Sequence, residues 1–172
     1  MNDLSAMALA VGARLKAQKQ TVAVAESSAG GLISAALLTI PGASAYFLGG
    51  GVIYTQAARR GLLRVADEAV VGIRSSSEPY ALVKARAVRE LLGATWGLSE
   101  TGATGPTGNR YGDAAGHACI AVAGPVERVI TVETGLPDRE ANMWRFAQAA
   151  LDLLASCLGG DAGSRAGSRT LK

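Results

Sequence analysis

Residues 21–38, TVAVAESSAGGLISAALL, decide the fold class. The first five are short, apolar and rich in valine, the composition of a strand buried on both faces. Glu26-Ser27-Ser28-Ala29-Gly30-Gly31 breaks that run with small, turn-forming residues, and residues 32–38 resume as a helical segment. A strand, a small-residue turn and a helix start together leave backbone N–H groups free to bind an anion. The stretch therefore predicts an inner strand over 21–25 that feeds a helix, the opening of a parallel α/β layer.

The chain upstream supports this. Residues 4–17 read as an amphipathic helix, with Leu4, Met7, Ala8, Val11 and Leu15 on one face. Downstream, residues 41–60, PGASAYFLGGGVIYTQAARR, open with a Pro-Gly turn and set Ser44 just beyond it. Tyr46 and Phe47 lead into Gly49, Gly50 and Gly51, then a strand over 52–54 and a short helix carrying Arg59 and Arg60. A turn hydroxyl, glycines, a strand, a tyrosine and cations in that order are one layout for an activated serine. The same residues also read as a strand between two loops, with a buried tyrosine and two surface arginines.

Ser77-Glu78-Pro79 starts the next helix, since serine caps, proline suits the first turn and glutamate suits the positive end of the dipole. That helix is expected to reach Leu92 and stop at Gly93. A strand over 95–100 precedes a long glycine loop, residues 102–112, GATGPTGNRYG. Residues 117–122 and 128–133 read as a hairpin around Gly124-Pro125, and Asp138 caps a last helix ending near Leu158. The predicted architecture is a single layered α/β/α domain over residues 1–158, with a mostly parallel sheet and an antiparallel hairpin. Residues 159–172 form a Gly/Ser/Arg tail expected to be disordered.

Nearly half of the 172 residues are apolar and only 18% are charged, which excludes a disordered chain. Of the formal charge of +3, the tail supplies most, with two arginines and one lysine against one aspartate. The folded part is then close to neutral, which argues against a nucleic-acid binder working by charge despite a pI near 9.1. Cys119 and Cys157 lack metal or redox spacing and fit a reduced, cytoplasmic protein. The N-terminus shows no signal-peptide pattern, and no run reaches the roughly 18 apolar residues of a membrane span.

Few constellations carry chemistry. The glycine loop fits neither a Walker loop nor a dinucleotide fingerprint, and reads equally as a phosphate cradle or a connector. His117 is the only histidine and sits in an apolar strand, so it reads as structural, and a histidine-based triad has no base. No cluster of histidines and carboxylates suggests a metal. Glu26, beside the glycine turn, is placed to cap the following helix, orient a hydroxyl or meet solvent, with a structural bond preferred.

The string AESSAGGLISAALLTIPGASAYFLGGGVIYTQAARRGLL, followed by SSSEP, TGATGPTG and GLPDRE, resembles the C-terminal domain of the competence/damage-inducible CinA family. Stand-alone members of that family are nicotinamide-nucleotide amidases. The resemblance implies a self-associating α/β domain that hydrolyses the carboxamide of nicotinamide mononucleotide to nicotinic acid mononucleotide and ammonia, without metal or cofactor. Carried over by residue, it implies Ser44 as nucleophile, Tyr54 as proton relay and Ser27, after Glu26, in the Ala-Glu-Ser turn. It implies Thr101, Gly102, Gly105 and Pro106 as the nucleotide loop. Four departures accompany these matches. Ser28 and Ala29 replace Cys and Thr, Leu48-Gly49 replaces a charged pair, Arg59 stands in for a lysine and Met143 for a helix arginine. Lysine accepts a proton when burial lowers its pKa, whereas arginine stays charged. Arg59 is therefore expected to tune Tyr54 by charge, and Arg59→Lys to raise turnover. Three readings follow: a pyridine-nucleotide amidohydrolase, a catalytically degenerate binder of nucleotide or protein on the same fold, and an oligomeric scaffold. None involves nucleic acid or a membrane.

Overall fold

The computed structural model of the chain describes residues 3–159. The expected tail falls, beyond Gly159, outside the described residues. In chain order the elements are α1 (Asp3–Gln18), β1 (Val22–Glu26), α2 (Leu32–Leu38), β2 (Phe47–Val52), α3 (Gln56–Gly61), α4 (Glu78–Leu92), β3 (Trp96–Ala103), β4 (His117–Ala123), β5 (Glu127–Glu133) and α5 (Arg139–Leu158). The five strands form one sheet in the order β2-β1-β3-β4-β5. β1 pairs in parallel with β2 and β3, whereas β4 pairs antiparallel with both β3 and β5. The predicted inner strand is thus an inner one, between β2 and β3. The antiparallel part is larger than the predicted hairpin, because β4 also reverses against β3.

Every residue of β1 is buried, so it carries apolar residues on both faces. Val22 and Val24 face a core shared with Leu98, Ile120, Phe146 and Leu154, built by α1, α2 and α5. Ala23 and Ala25 face Val88 of α4 with Ile53 and Leu63. The sheet therefore separates two helical layers, the three-layer arrangement read from the sequence.

Local signals fix the helix ends. Ser77 Oγ accepts the Tyr80 N–H and Asp138 Oδ1 accepts the Ala141 N–H, as expected of N-caps. Gly93 closes α4 in the left-handed region at φ 64°. The glycine triplet is a correction: it lies inside β2 instead of in a loop before a strand over 52–54. Packing explains it. A Cβ on Gly50 would stand 2.4 Å from Ser34 Oγ and 3.2 Å from the Val24 carbonyl. Ser34 Oγ is itself held by Glu26 at 2.6 Å and has no room to swing away. Glycine lets α2 lie close on the sheet here.

Candidate active site

The carboxyl ends of β1, β2 and β3 meet where the chain leaves β1 toward strands on either side. In an open α/β sheet this switch point leaves a crevice between strand ends. A cleft of about 400 Å³ opens there, lined by Ser27 after β1, Tyr54 after β2, Thr101 and Gly102 of β3, and Tyr80, Arg110 and Tyr111. A second hollow of about 290 Å³ shares Gln56, Ser75, Tyr80 and Tyr111 with it. A larger groove, about 720 Å³, lies between residues 63–69 and α4, but its lining is mostly aliphatic and includes no serine, threonine or tyrosine. The smaller cleft is therefore the candidate site.

Four of the nine site residues expected from sequence converge in it: Ser27, Tyr54, Thr101 and Gly102. Gly105 stands at its rim, where Arg139 bridges the glycine loop and the tyrosine by donating to the Gly105 carbonyl at 2.9 Å and to Tyr54 Oη at 3.3 Å. Pro106 is exposed and lines no part of the cleft. Its peptide bond with Gly105 is cis.

The expectations for Ser44 and Arg59 are corrected, and Glu26 takes the structural bond preferred for it. Ser44 lies in a short 3-10 turn, Ala43–Ala45, before β2, and Tyr54 follows the other end of that strand. Six strand residues at about 3.3 Å each put roughly 20 Å between them, so Ser44 reaches neither Tyr54 nor the cleft. The strand thought to begin at residue 52 begins at Phe47, which moves the two ends apart.

Arg59 lines the second hollow and not the cleft. Its side chain is buried and donates to the Val65 carbonyl at 2.8 Å, the Ala66 carbonyl at 2.7 Å and the Asp67 carboxylate. It closes the turn after α3, and its charge is spent on that turn instead of on Tyr54. Lysine offers one compact ammonium where the fork reaches three acceptors. Arg59→Lys is therefore expected to lower stability by about 1–3 kcal/mol, read as a lower midpoint in denaturant, with no gain in turnover.

Glu26 is fully buried and does not face a ligand. Its carboxylate accepts the N–H groups of Gly31, Ile33 and Ser34 at 2.8–3.0 Å, capping α2. Burial pushes its carboxyl above the ordinary value, the bonds from Ser34 and Ile33 pull it back, and the neighbouring Glu100 charge adds to the rise. The anion site expected at this turn is thus filled by the protein's own carboxylates. Glu100 completes it, accepting the N–H groups of Ser27 at 3.0 Å and Ala29 at 2.8 Å and the Ser28 hydroxyl.

Two groups were missed by the sequence reading. Tyr111 lines both hollows, and the bond from Arg110, then that from Ser75, holds its phenol below the ordinary value. Lys84 is fully buried and donates to the Glu100 carbonyl at 2.8 Å. Its signal was present: a lysine in step with Tyr80, Ala81, Ala85 and Val88 on the apolar face of a helix.

His117 is structural, as read. It is buried, its Nδ1 meets the Glu133 carboxylate, and its Nε2 lies 2.9 Å from the Ser76 carbonyl, so both nitrogens face acceptors. Burial works to lower its pKa, but the bonds to Glu133 and Ser76 and the charge of Asp113 outweigh that and raise it above 6.5. A raised folded pKa contributes stability that is complete below the unfolded value and is lost as pH rises through the folded one. Unfolding midpoints are therefore expected to decline above pH 6.5, and His117→Gln to remove that decline. Among the described residues no group of three or more His, Cys, Asp or Glu side chains is placed to hold a metal ion, and no helix is long and apolar enough to cross a membrane.

Comparison with known proteins follows the same outline. Residues 4–158 match the family model described as the CinA C-terminal domain. A CinA-like protein of Salinibacter ruber is 38% identical over 142 residues, covering 83% of this chain and 34% of that protein. A CinA-like protein of Desulfosudis oleivorans is 40% identical over 146 residues, covering 84% and 35%. The chain thus spans about a third of the length of the curated relatives it matches. Among solved structures, a competence/damage-inducible protein of Agrobacterium tumefaciens superposes with a TM-score of 0.84 at 26% identity, covering 93% of this chain and 98% of that one. A competence-damaged protein (CinA) superfamily member of Klebsiella pneumoniae gives 0.85 at 24%, covering 91% and 98%, a likeness of fold.

Proposed function

The chain belongs to the CinA C-terminal domain family, and on that premise we propose that it is a serine amidohydrolase of pyridine nucleotides with Ser27, not Ser44, as nucleophile. One observation carries the reading: Ser27, Tyr54, Thr101 and Tyr111 share a single cleft at the strand ends. Ser27 Oγ attacks the carboxamide carbon of nicotinamide mononucleotide and its proton passes to Tyr111, the phenol whose ionisation Arg110 favours. That proton leaves with the amine as the C–N bond breaks, ammonia departs, and water then hydrolyses the Ser27 ester to nicotinic acid mononucleotide. Arg110 and Arg139, exposed at the rim, supply positive charge for the phosphate. Self-association accompanies this reading as an expectation.

A second reading is a catalytically degenerate nucleotide binder. It is favoured by Arg59, which stands where the family carries a lysine, is bonded to its own turn and lines the neighbouring hollow instead of a cleft that has no lysine or histidine. Ammonia release from nicotinamide mononucleotide, measured beside thermal stabilisation by the same compound, separates the two. Turnover supports the amidohydrolase, stabilisation without turnover supports the binder, and neither effect rejects both.

A further inference from the structure

Behind the Ser27 turn lies a buried ionic group that neither reading uses. Glu100 is 0% exposed, and its two carboxylate oxygens accept the N–H groups of Ser27 and Ala29 and the Ser28 hydroxyl. A carboxyl serving three donors works as an acceptor throughout, the capacity of its ionised form. Such a charge, shut away from water, is costly unless a cation lies near. Lys84, also 0% exposed, supplies it from α4, with its Nζ donating at 2.8 Å to the backbone carbonyl of Glu100. Of the other buried basic side chains among the described residues, Arg59 is committed to residues 65–67 and His117 to Glu133 and Ser76.

We propose that Glu100 and Lys84 are positioning residues for Ser27: the Glu100 carboxylate fixes the backbone of the Ser27 turn, and the Lys84 ammonium, bonded from α4 to the backbone carbonyl of Glu100, holds Glu100 in place. The kinetic arm of this proposal rests on Ser27 as nucleophile, but its structural arm does not. Because the turn's N–H donors are anchored from beneath, the Ser27 side chain holds its place at the cleft without contact from Lys84.

The ammonium is itself titratable. Burial lowers its pKa to about 8, against the opposing pull of Glu100 and Glu26. The groups around α4 are Glu26 of β1, Glu100 of β3, His117 and Cys119 of β4 at Ser76 ahead of the helix, and Glu127 of β5 at Arg86; the helix itself carries Glu78, Tyr80, Arg86, Arg89 and Glu90, and β2 has no titratable side chain. Of these, only Glu26 and Glu100 act on Lys84 by charge. The anchor of the Ser27 turn therefore weakens as pH rises through about 8.

The test follows the backbone amide proton signals of Ser27 and Ala29 by NMR across pH, together with ammonia release from nicotinamide mononucleotide. In the wild type both signals are expected to shift with a midpoint near 8, and turnover to fall through the same range. Lys84→Met should abolish the spectral step and lower kcat about 10-fold with KM within about twofold, and Glu100→Gln should lower kcat by about 10²-fold. Absence of a step at Ser27 and Ala29 in the wild type overturns the proposal, and this needs no variant to fold. A rise of turnover through pH 8 that Lys84→Met removes, the mark of Lys84 as proton acceptor in place of Tyr111, also overturns it. So does a Ser27-dependent activity indifferent to Lys84→Met. A spectral step in a protein without turnover keeps the positioning pair and rejects the amidohydrolase reading.

Discussion

Ser27→Ala is expected to reduce ammonia release from nicotinamide mononucleotide by at least about 10³-fold while the protein keeps its fold, because removing a covalent nucleophile leaves only binding and charge stabilisation. The substitution removes one hydroxyl from a half-buried position. The Ser27 bond to Glu100 is made by the backbone N–H, which alanine retains, so the turn remains anchored. Binding of the nucleotide should persist, since Thr101, Tyr111 and the rim arginines are untouched. Ser44→Ala is the matched control. Ser44 is exposed at the opposite end of β2, so its loss should leave kcat and KM unchanged. A drop in Ser44→Ala with none in Ser27→Ala would reverse the assignment, and full activity in both would remove serine chemistry from this protein.

The largest effect on stability is expected from Gly97→Ala. Gly97 lies in β3 where α4 crosses the sheet, and an added Cβ would stand 1.9 Å from the Ala85 carbonyl oxygen and 2.8 Å from Arg89 Cβ. The first obstacle is helix backbone, which cannot rotate aside as a side chain does. α4 must lift, and the bond from Ser99 Oγ to the Ala81 carbonyl and that from Lys84 to the Glu100 carbonyl stretch with it. A cost of about 3 kcal/mol or more is expected, beyond ordinary overpacking. For a domain of this size that lowers the thermal midpoint by roughly 6–12 °C. Gly61→Ala, at a glycine with nothing within 4 Å of a built Cβ, should be neutral or slightly stabilising. Equal midpoints for the two variants would show that α4 does not press on β3 as described.

The sequence by itself determined the elements and their layering. A valine-rich run buried on both faces, serine and aspartate caps at Ser77 and Asp138, and a glycine stop at Gly93 are local signals, and each acts within a few residues of itself. Ser27, Tyr54, Thr101 and Gly102 were legible only through the resemblance to the CinA family, and the structure brings the four together in one cleft. Tertiary structure alone decided the rest. Ser44 and Tyr54 are ten residues apart in sequence, but β2 starts five residues earlier than its apolar composition indicates, because the glycines are required by the close approach of α2. That extension carries the two side chains to opposite ends of a strand. Arg59 was read as a site residue through the resemblance, yet its bonds go to a turn's carbonyls, whereas Glu26 takes the structural bond preferred for it, on the N–H groups of the following helix. The Glu100–Lys84 pair joins α4 to β3 beneath the turn after β1. A buried charge is tolerated only where a partner from another element meets it, and that meeting is a property of the packed sheet, not of any one stretch of chain.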